Sequence, residues 1–355
     1  MRVGRHKEKE RTWKVGNMEI EETKKYKYLG DIITNDGRHK ENLTSRKIKM
    51  QATTTHIHTI ASSETLNKIE TAVLLELHEK ISITSLLSNS ESWNLNKGEE
   101  DFVEKIEIQA IKDLFDLPLH TPTAAIIFTF GLLYTKQRID KKQLIYLHKV
   151  LNKQDDQWTK RTLKILNEVD IGWGKHIKST LTSYDLPTDF PTIKNTHPTI
   201  WKNTVQVAIE KKNLSRLHQD CHKKVNGTLT EKSKTKSLLP QLTNPGYKRE
   251  AQREMFNSTK QETKTLMITR FGMLECGKNF RGSIEQSCKN CKCIDDENHR
   301  LNYCIRWRDI NLYDCNEKVD LNIIYSDSLR DLKPILSKIE TVWNTKNAYG
   351  TMNMP

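Results

Sequence analysis

The chain has 355 residues, of which 35% are hydrophobic and 29% are charged, so it can form two or three domains with a modest apolar core. No stretch approaches the length of a membrane span and the first residues are basic and polar, so we expect neither a spanning helix nor a secretory signal. Seven cysteines, four of them close together, favour a metal site in the reducing cytosol or nucleus over a disulfide framework.

The first 34 residues have the pattern of β-strands. TWKV and MEIEE flank Gly16 and Asn17, a pair that accepts positive φ, so the sequence predicts a hairpin over residues 13–21. The following run, KYKYLG at residues 25–30, indicates a strand that enters a turn.

Helical periodicity begins at Glu41 and dominates the next hundred residues. Ser63 is a candidate N-cap for a second helix, Gly98 opens a third that Pro118 ends, and a fourth follows residues 120–123 and ends at Gly131, before KKQLIYLHKVLN. The first of these helices has an apolar stripe at Leu43, Ile48, Ala52, Ile57 and Ile60.

The middle of the chain, residues 153–246, is less regular. Residues 158–177 fit one amphipathic helix or two short ones, and the prolines at 187, 191 and 198 predict a loop. Residues 248–273 have the pattern of a helix, and so do residues 329–343 near the C-terminus. A mainly α fold is therefore predicted.

A basic block precedes the cysteine-rich segment. Residues 211–281 carry 16 Lys and Arg against 6 Asp and Glu, which gives +10 of the total net charge of +13. Such a block binds nucleic-acid phosphates by displacing counterions, or else it is a solvated linker. The candidate phosphate-binding residues are Lys223, Lys224, Lys232, Lys234, Lys236, Lys248, Arg249, Arg253 and Arg270.

A zinc-ligand pattern lies between residues 288 and 304. Cys288, Cys291, His299 and Cys304 have the spacing Cys-x2-Cys-x7-His-x4-Cys, in which two thiolates come from one tight turn. Four protein ligands leave no open position, so the metal would be structural rather than catalytic. The alternative is a set of buried or idle thiols, and Cys293 is a spare sulfur that could replace a ligand.

Several of these segments resemble the C-terminal region of reverse transcriptases from non-LTR (LINE-class) retrotransposons. LMITRFGMLECGKNF and DENHRLNYCIRWRD resemble the zinc knuckle of that family, and residues 24–152 follow its order of primer grip and helical thumb. The resemblance implies binding of template RNA and target DNA. It also implies a primer-grip role for the YKYLG residues Tyr26, Tyr28, Leu29 and Gly30.

The catalytic part of that family is not found in this sequence. A polymerase needs paired aspartates on a palm hairpin to hold two metal ions, and in the family the pair precedes the primer grip. The Asp-Asp pairs here, at residues 155–156 and 295–296, lie in polar segments without a flanking strand. We therefore predict no catalytic residue, and expect a chain derived from a polymerase but inactive by itself.

Together these features predict five regions. They are a β primer-grip remnant (1–35), a helical thumb-like domain (36–152), a basic helical connector (153–281), a CCHC zinc knuckle (282–320) and a C-terminal helix (321–355). Two other interpretations remain open. One is a host-adopted, non-enzymatic nucleic-acid-binding protein, and the other is an unrelated helical interaction domain with an incidental metal site. If the chain is part of a reverse transcriptase or a host-adopted binding protein, its partners are RNA and DNA. We then expect the protein in the nucleus, the cytoplasm or both.

Overall fold

The computed structural model describes residues 13–20, 23–62, 69–225, 228–231, 257–271, 287–288, 291–294 and 299. This part of the chain is mostly helical, with short strands in antiparallel pairs, which confirms the coarse prediction of a mainly α fold. None of its helices combines the length and the apolar character needed to cross a bilayer.

The elements follow one another along the chain. The α-helices are α1 (Lys40–Ala61), α2 (Thr71–Leu77), α3 (Thr84–Leu86), α4 (Lys97–Leu114), α5 (Thr123–Thr129), α6 (Thr135–Leu151), α7 (Trp158–Val169), α8 (Gly172–Ser183), α9 (Phe190–Asn195), α10 (Pro198–Asp220) and α11 (Lys260–Arg270). The strands are β1 (Trp13–Val15), β2 (Met18–Ile20), β3 (Lys25–Tyr28), β4 (Asp31–Thr34), β5 (His222–Val225) and β6 (Thr228–Glu231). A π-helical segment (His78–Ile83) lies between α2 and α3.

The predicted N-terminal hairpin is present. β1 and β2 pair with Trp13 opposite Ile20, and the turn between them contains Gly16 with a φ of 60°. A second hairpin follows, because β3 pairs with β4 and places Tyr28 opposite Asp31. The N-terminal region therefore contains two tandem hairpins, where the sequence had predicted one hairpin and an additional strand.

The chain divides into two compact units that interleave along the sequence. The first unit comprises residues 1–54, 79–110 and 134–210, and the second comprises residues 55–78, 111–133 and 211–355. The five regions predicted from the sequence remain predictions.

The core of the first unit includes side chains from α1, from α4 and from the segment between residues 83 and 93. Its largest aromatic member is Trp93, which is 2% exposed. The buried residues of this cluster are Leu43, Met50, Ile83, Leu86, Leu87, Trp93, Val103, Ile106, Ala110 and Ile139.

The buried face of α1 is not the apolar stripe that the sequence predicted. Leu43, Met50 and Ile57 are buried, whereas Ile48 is 63% exposed and Ile60 is 40% exposed. Polar side chains share the buried face, so apolar periodicity alone does not identify it. The buried polar residues of α1 are Asn42, Arg46 and Thr54.

Helices α6 to α9 and the first part of α10 complete the first unit. The sequence left open whether residues 158–177 form one helix or two. They form two, because α7 ends at Val169 and α8 begins at Gly172. The loop predicted at the prolines is wrong in part, because Pro191 lies in the first turn of α9 and Pro198 is the first residue of α10. Proline is tolerated there because the first helical N–H groups have no intrahelical acceptor.

Helix α11 packs within the second unit. The hydroxyl oxygens of Thr71 and Thr263 are 2.6 Å apart, and the Thr71 amide donates a hydrogen bond of 2.8 Å to the carbonyl of Ser258. The helix predicted over residues 248–273 is confirmed for residues 260–270. Residues 248–256, the candidate cap Ser63 and the helix predicted over residues 329–343 lie outside the described residues.

Candidate metal centre

The first two candidate ligands lie on a tight turn. The amide of Lys292 donates to the carbonyl of Cys288, and the amide of Cys288 donates to the carbonyl of Cys293, both at 2.8 Å. A short antiparallel bridge joins Ser287 to Ile294 at the base of this turn. Lys292 has a φ of 58°, a left-handed conformation that turns the chain back on itself. The Cys-x2-Cys spacing therefore forms the compact turn that two thiolate ligands of one ion require.

His299 reaches this turn. The ligand atoms of Cys288, Cys291 and His299 all lie within 4.8 Å of one another, and the His299 side chain is buried. In tetrahedral zinc sites, Zn–S bonds of about 2.3 Å place two sulfurs about 3.8 Å apart. The three residues can therefore hold a metal ion after a contraction of at most about 1 Å.

Cys293 lies beside the same histidine. Its Sγ is 3.0 Å from Nδ1 of His299 and 3.6 Å from Nε2, while its side chain is exposed. Cys293 is not part of the group of three converging ligands. Because Cys293 lies beside His299, the alternative in which Cys293 replaces one of the predicted ligands stays a prediction.

Cys304, the fourth predicted ligand, lies outside the described residues. The same holds for the candidate phosphate-binding residues Lys232, Lys234, Lys236, Lys248, Arg249 and Arg253. Lys223 and Lys224 lie on β5, which pairs with β6 in a hairpin, and Arg270 is the last residue of α11. The basic block thus begins on the last turns of α10 and continues into a hairpin.

The YKYLG residues form an exposed hairpin tip rather than a buried strand. Tyr26 and Tyr28 are 55% and 58% exposed and, being two residues apart in β3, lie on the same face. Leu29 is 83% exposed and has a φ of 47°, and Gly30 has a φ of 92°. Exposed aromatic rings between lysines are a feature of surfaces that stack nucleic-acid bases.

A buried arginine anchors this hairpin, and the sequence did not identify it. Arg46 of α1 pairs with Asp31 at the start of β4, and its guanidinium lies 5.3 Å from the ring centre of Trp93. Asp31 also accepts hydrogen bonds from Asn42 at 3.1 Å and from Asn89 at 2.6 Å. Burial raises the pKa of Asp31, but these hydrogen bonds and the Arg46 charge outweigh it, so the net pKa is lowered.

A polar cluster in the first unit also contains titratable groups close together. It surrounds a cavity of about 10 Å³, which is room for one water molecule. Lys136 contacts Glu100 at 2.7 Å and Asp140 at 3.1 Å, while Tyr184 donates to Asp140 at 2.8 Å. His176 donates to the side chain of Gln143 at 3.0 Å. These groups bind one another and leave no space for a substrate, so the cluster is structural.

Comparisons of this chain with protein-family models, with curated proteins and with solved structures found no match.

Proposed function

We propose that the chain is the nucleic-acid-positioning part of a non-LTR reverse transcriptase and contains a structural zinc knuckle. The observation that carries the proposal is the convergence of Cys288, Cys291 and His299 on one point, at the spacing that the family resemblance implies. Soft thiolates with one imidazole are a ligand set that zinc prefers.

Cys304 is the proposed fourth ligand, supplied by the chain five residues after His299. With Cys288, Cys291 and His299 it completes a tetrahedron without a coordinated water. Such an ion folds the segment around it and does not activate a nucleophile. Zinc binding and folding of the knuckle are therefore one equilibrium.

The proposed nucleic-acid surface combines charge with aromatic rings. The +10 charge of residues 211–281 comes directly before the knuckle and would bind phosphates of template RNA and target DNA. Tyr26 and Tyr28, exposed on the β3–β4 hairpin, would stack on bases or sugars. Phosphate contacts and ring stacking do not depend on which base is present, so binding should show little sequence specificity. Because phosphate contacts are electrostatic, binding should be strongest at low salt.

Catalysis is not assigned to this chain. Phosphoryl transfer by a polymerase needs carboxylate-held metal ions on both sides of the reacting phosphorus. Asp155 and Asp156 lie in a turn between α6 and α7, and Asp155 pairs with Lys160 at 2.6 Å. In this proposal the chain binds and orients nucleic acid, and catalytic aspartates are contributed by a separate palm segment.

Metal analysis of purified protein tests the zinc site. We expect one zinc per chain to remain in the wild type after exhaustive dialysis, and its loss in Cys288→Ser, His299→Ala and Cys304→Ser. Cys221→Ala is the matched control, because it removes a buried thiol that lies between α10 and β5, away from the ligand sequence. Full zinc retention in any of the three ligand variants would refute this ligand set. Loss in Cys293→Ser instead of Cys304→Ser would assign the fourth position to Cys293.

Primer extension and RNA binding test the positioning role. The purified chain should bind a primed RNA template but should not extend the primer with nucleotides and Mg²⁺ or Mn²⁺. Adding the family's palm segment as a separate polypeptide should restore extension. Extension by the chain alone would refute the proposal. Binding without restored extension would favour the adopted, non-enzymatic nucleic-acid-binding protein.

A further inference from the structure

Two histidines lie side by side where α10 ends. His218 is in the last turn of the helix and His222 is the first residue of β5. Their ring centres are 4.7 Å apart, with an angle of 35° between the ring planes. His218 is exposed and His222 is partly exposed, so solvent reaches the pair.

A hydrogen bond fixes the tautomer of His222. Its Nδ1 lies 2.7 Å from the carbonyl oxygen of His218. Because a carbonyl oxygen only accepts, Nδ1 must carry the proton, and the neutral ring then has its lone pair on Nε2. Metal-binding histidines commonly donate the other ring N–H to a carbonyl or carboxylate, which orients the ring and raises the basicity of the ligand nitrogen. His222 already has this arrangement.

The separation of the rings fits a shared ion. Metal–nitrogen bonds of about 2.0–2.1 Å require the two ligand nitrogens to be no more than about 4.2 Å apart. The ring centres are 4.7 Å apart, so rotation of the exposed His218 ring has to bring its ligand nitrogen within this distance while His222 keeps its hydrogen bond.

The helix end favours a cation at this place. α10 is 23 residues long, and its C-terminal carbonyl groups carry the negative end of the helix dipole. Asp220 adds a carboxylate nearby, although it also faces Arg216 at 3.9 Å. Lys223 and Lys224 follow His222 directly and act against a cation, so the helix end and Asp220 offset only part of the positive charge around the pair.

We propose that His218 and His222 form a second metal site, which binds a borderline divalent ion such as Ni²⁺ or Zn²⁺. Its chemistry differs from that of the knuckle, because it has two imidazole ligands and no thiolate. Water fills the remaining coordination positions, so the ion is exchangeable and open to an added ligand. The proposal does not depend on the family assignment or on the zinc knuckle.

Calorimetric titration with Ni²⁺ of protein that already carries its knuckle zinc tests the site. We expect one additional Ni²⁺ per chain, with an affinity at least tenfold lower in His218→Ala and in His222→Ala. His56→Ala, which removes an exposed histidine from α1, should bind like the wild type. Zinc released during the titration is measured in parallel, so that exchange at the knuckle is not counted as new binding.

A folding defect is separated from ligand loss by a second variant. His222→Gln keeps an N–H group that can donate to the His218 carbonyl, so it should retain the circular dichroism spectrum of the wild type and still lose Ni²⁺ binding. Selective paramagnetic broadening of the His218 and His222 ring signals would support the site. Unchanged Ni²⁺ affinity in both alanine variants would overturn it.

Discussion

Leu29 has a backbone conformation that residues with a β-carbon rarely adopt. Its φ of 47° precedes Gly30 at 92°, which is the pattern of a two-residue hairpin turn, where Asn-Gly is the favoured pair. Its side chain is 83% exposed and gains little from packing. Packing of the Leu29 side chain therefore does not offset the strain in its backbone. Uncompensated strain of this kind is typical of binding sites.

Leu29→Asn should therefore stabilise the protein by about 0.5–1 kcal/mol, since asparagine tolerates positive φ. If the tip binds nucleic acid, the same change should lower RNA affinity. Urea unfolding and a mobility-shift assay measure the two effects. Leu29→Val is the control, because a β-branched residue should lose both stability and the flexible apolar contact. A less stable Leu29→Asn protein would contradict the strain argument.

Asp116 links three segments of the second unit. It accepts hydrogen bonds from His58 at 2.8 Å and from Lys260 at 2.9 Å, and the latter side chain also donates to Ser62 at 3.2 Å. Burial raises the pKa of Asp116, but the hydrogen bonds from Lys260 and His58 outweigh it and lower the net pKa. The carboxylate thus connects α1 to the start of α11.

Asp116→Asn should reduce the free energy of unfolding by up to about 1 kcal/mol at pH 7, because solvent screens this partly exposed carboxylate. Because the folded-state pKa lies below the unfolded one, the contribution of the carboxylate is complete above the unfolded pKa and disappears as the pH falls through the folded pKa. The two proteins should therefore converge in acid. Urea unfolding from pH 7 down to the most acidic pH at which both proteins still fold measures this, with the exposed Asp156→Asn as control. A pH-independent difference would show that the charge is not responsible.

At the scale of elements, α7 and α8 approach closely at Gly174. A β-carbon on Gly174 would lie 2.8 Å from the carbonyl carbon of Leu166 and 2.9 Å from its oxygen. These are backbone atoms, so the contact cannot be relieved by rotation of a side chain. The pair of helices depends on a glycine at this position.

Gly174→Ala should destabilise the protein by about 1–3 kcal/mol through overpacking. Gly98, in the first turn of α4, is the matched control, because its added β-carbon would meet only the side-chain oxygen of Asn96 at 3.4 Å. Gly98→Ala should be neutral or stabilising by up to about 1 kcal/mol. Thermal unfolding of both variants measures the difference, and equal melting temperatures would exclude the close approach.

The sequence predicted the elements better than their buried faces. The hairpin over residues 13–21 and helices α4 and α5 were identified because turn residues, prolines and local periodicity are local signals. The orientation of α1 was missed because Arg46 is buried through a pairing with Asp31, which local periodicity does not encode. The loop predicted at the prolines of α9 and α10 was wrong in part because proline occurs both in loops and in the first turn of helices. The sequence alone does not distinguish the two.

The metal centre was predictable to the extent that its ligands are close in sequence. The spacing of Cys288 and Cys291 defines a turn, and the turn is present. Whether Cys293 lies close to His299 depends on side-chain rotamers, which the sequence does not specify. The sequence therefore identified Cys293 only as an alternative ligand. The pair of His218 and His222 has the i, i+4 spacing of a helical face, but that spacing alone does not show that the two rings lie side by side where α10 ends.

At the scale of the whole molecule, the charge is concentrated in residues 211–281, so nucleic-acid affinity should fall steeply with salt. Replacing Lys232, Lys234 and Lys236 with glutamine should reduce the salt dependence of log K by about 2–3 units if all three contact phosphate. Mobility shifts with single-stranded RNA at several ionic strengths measure this.

A triple variant that removes the same charge elsewhere is the control. Lys49, Lys105 and Lys202 are exposed and belong to the first unit, so their replacement with glutamine should leave the salt dependence nearly unchanged. An equal change in both triple variants would mean that only net charge matters. No change in either would indicate that the basic block is a solvated linker.

The interleaving of the two units has a consequence for how the protein can be divided. The boundaries after residues 54, 110 and 210 fall inside α1, α4 and α10, so the polypeptide passes from one unit to the other within continuous helices. No single contiguous piece of the gene encodes either unit. Expression of one unit alone would therefore require splicing distant segments together with new linkers, and a single proteolytic nick cannot release an intact half.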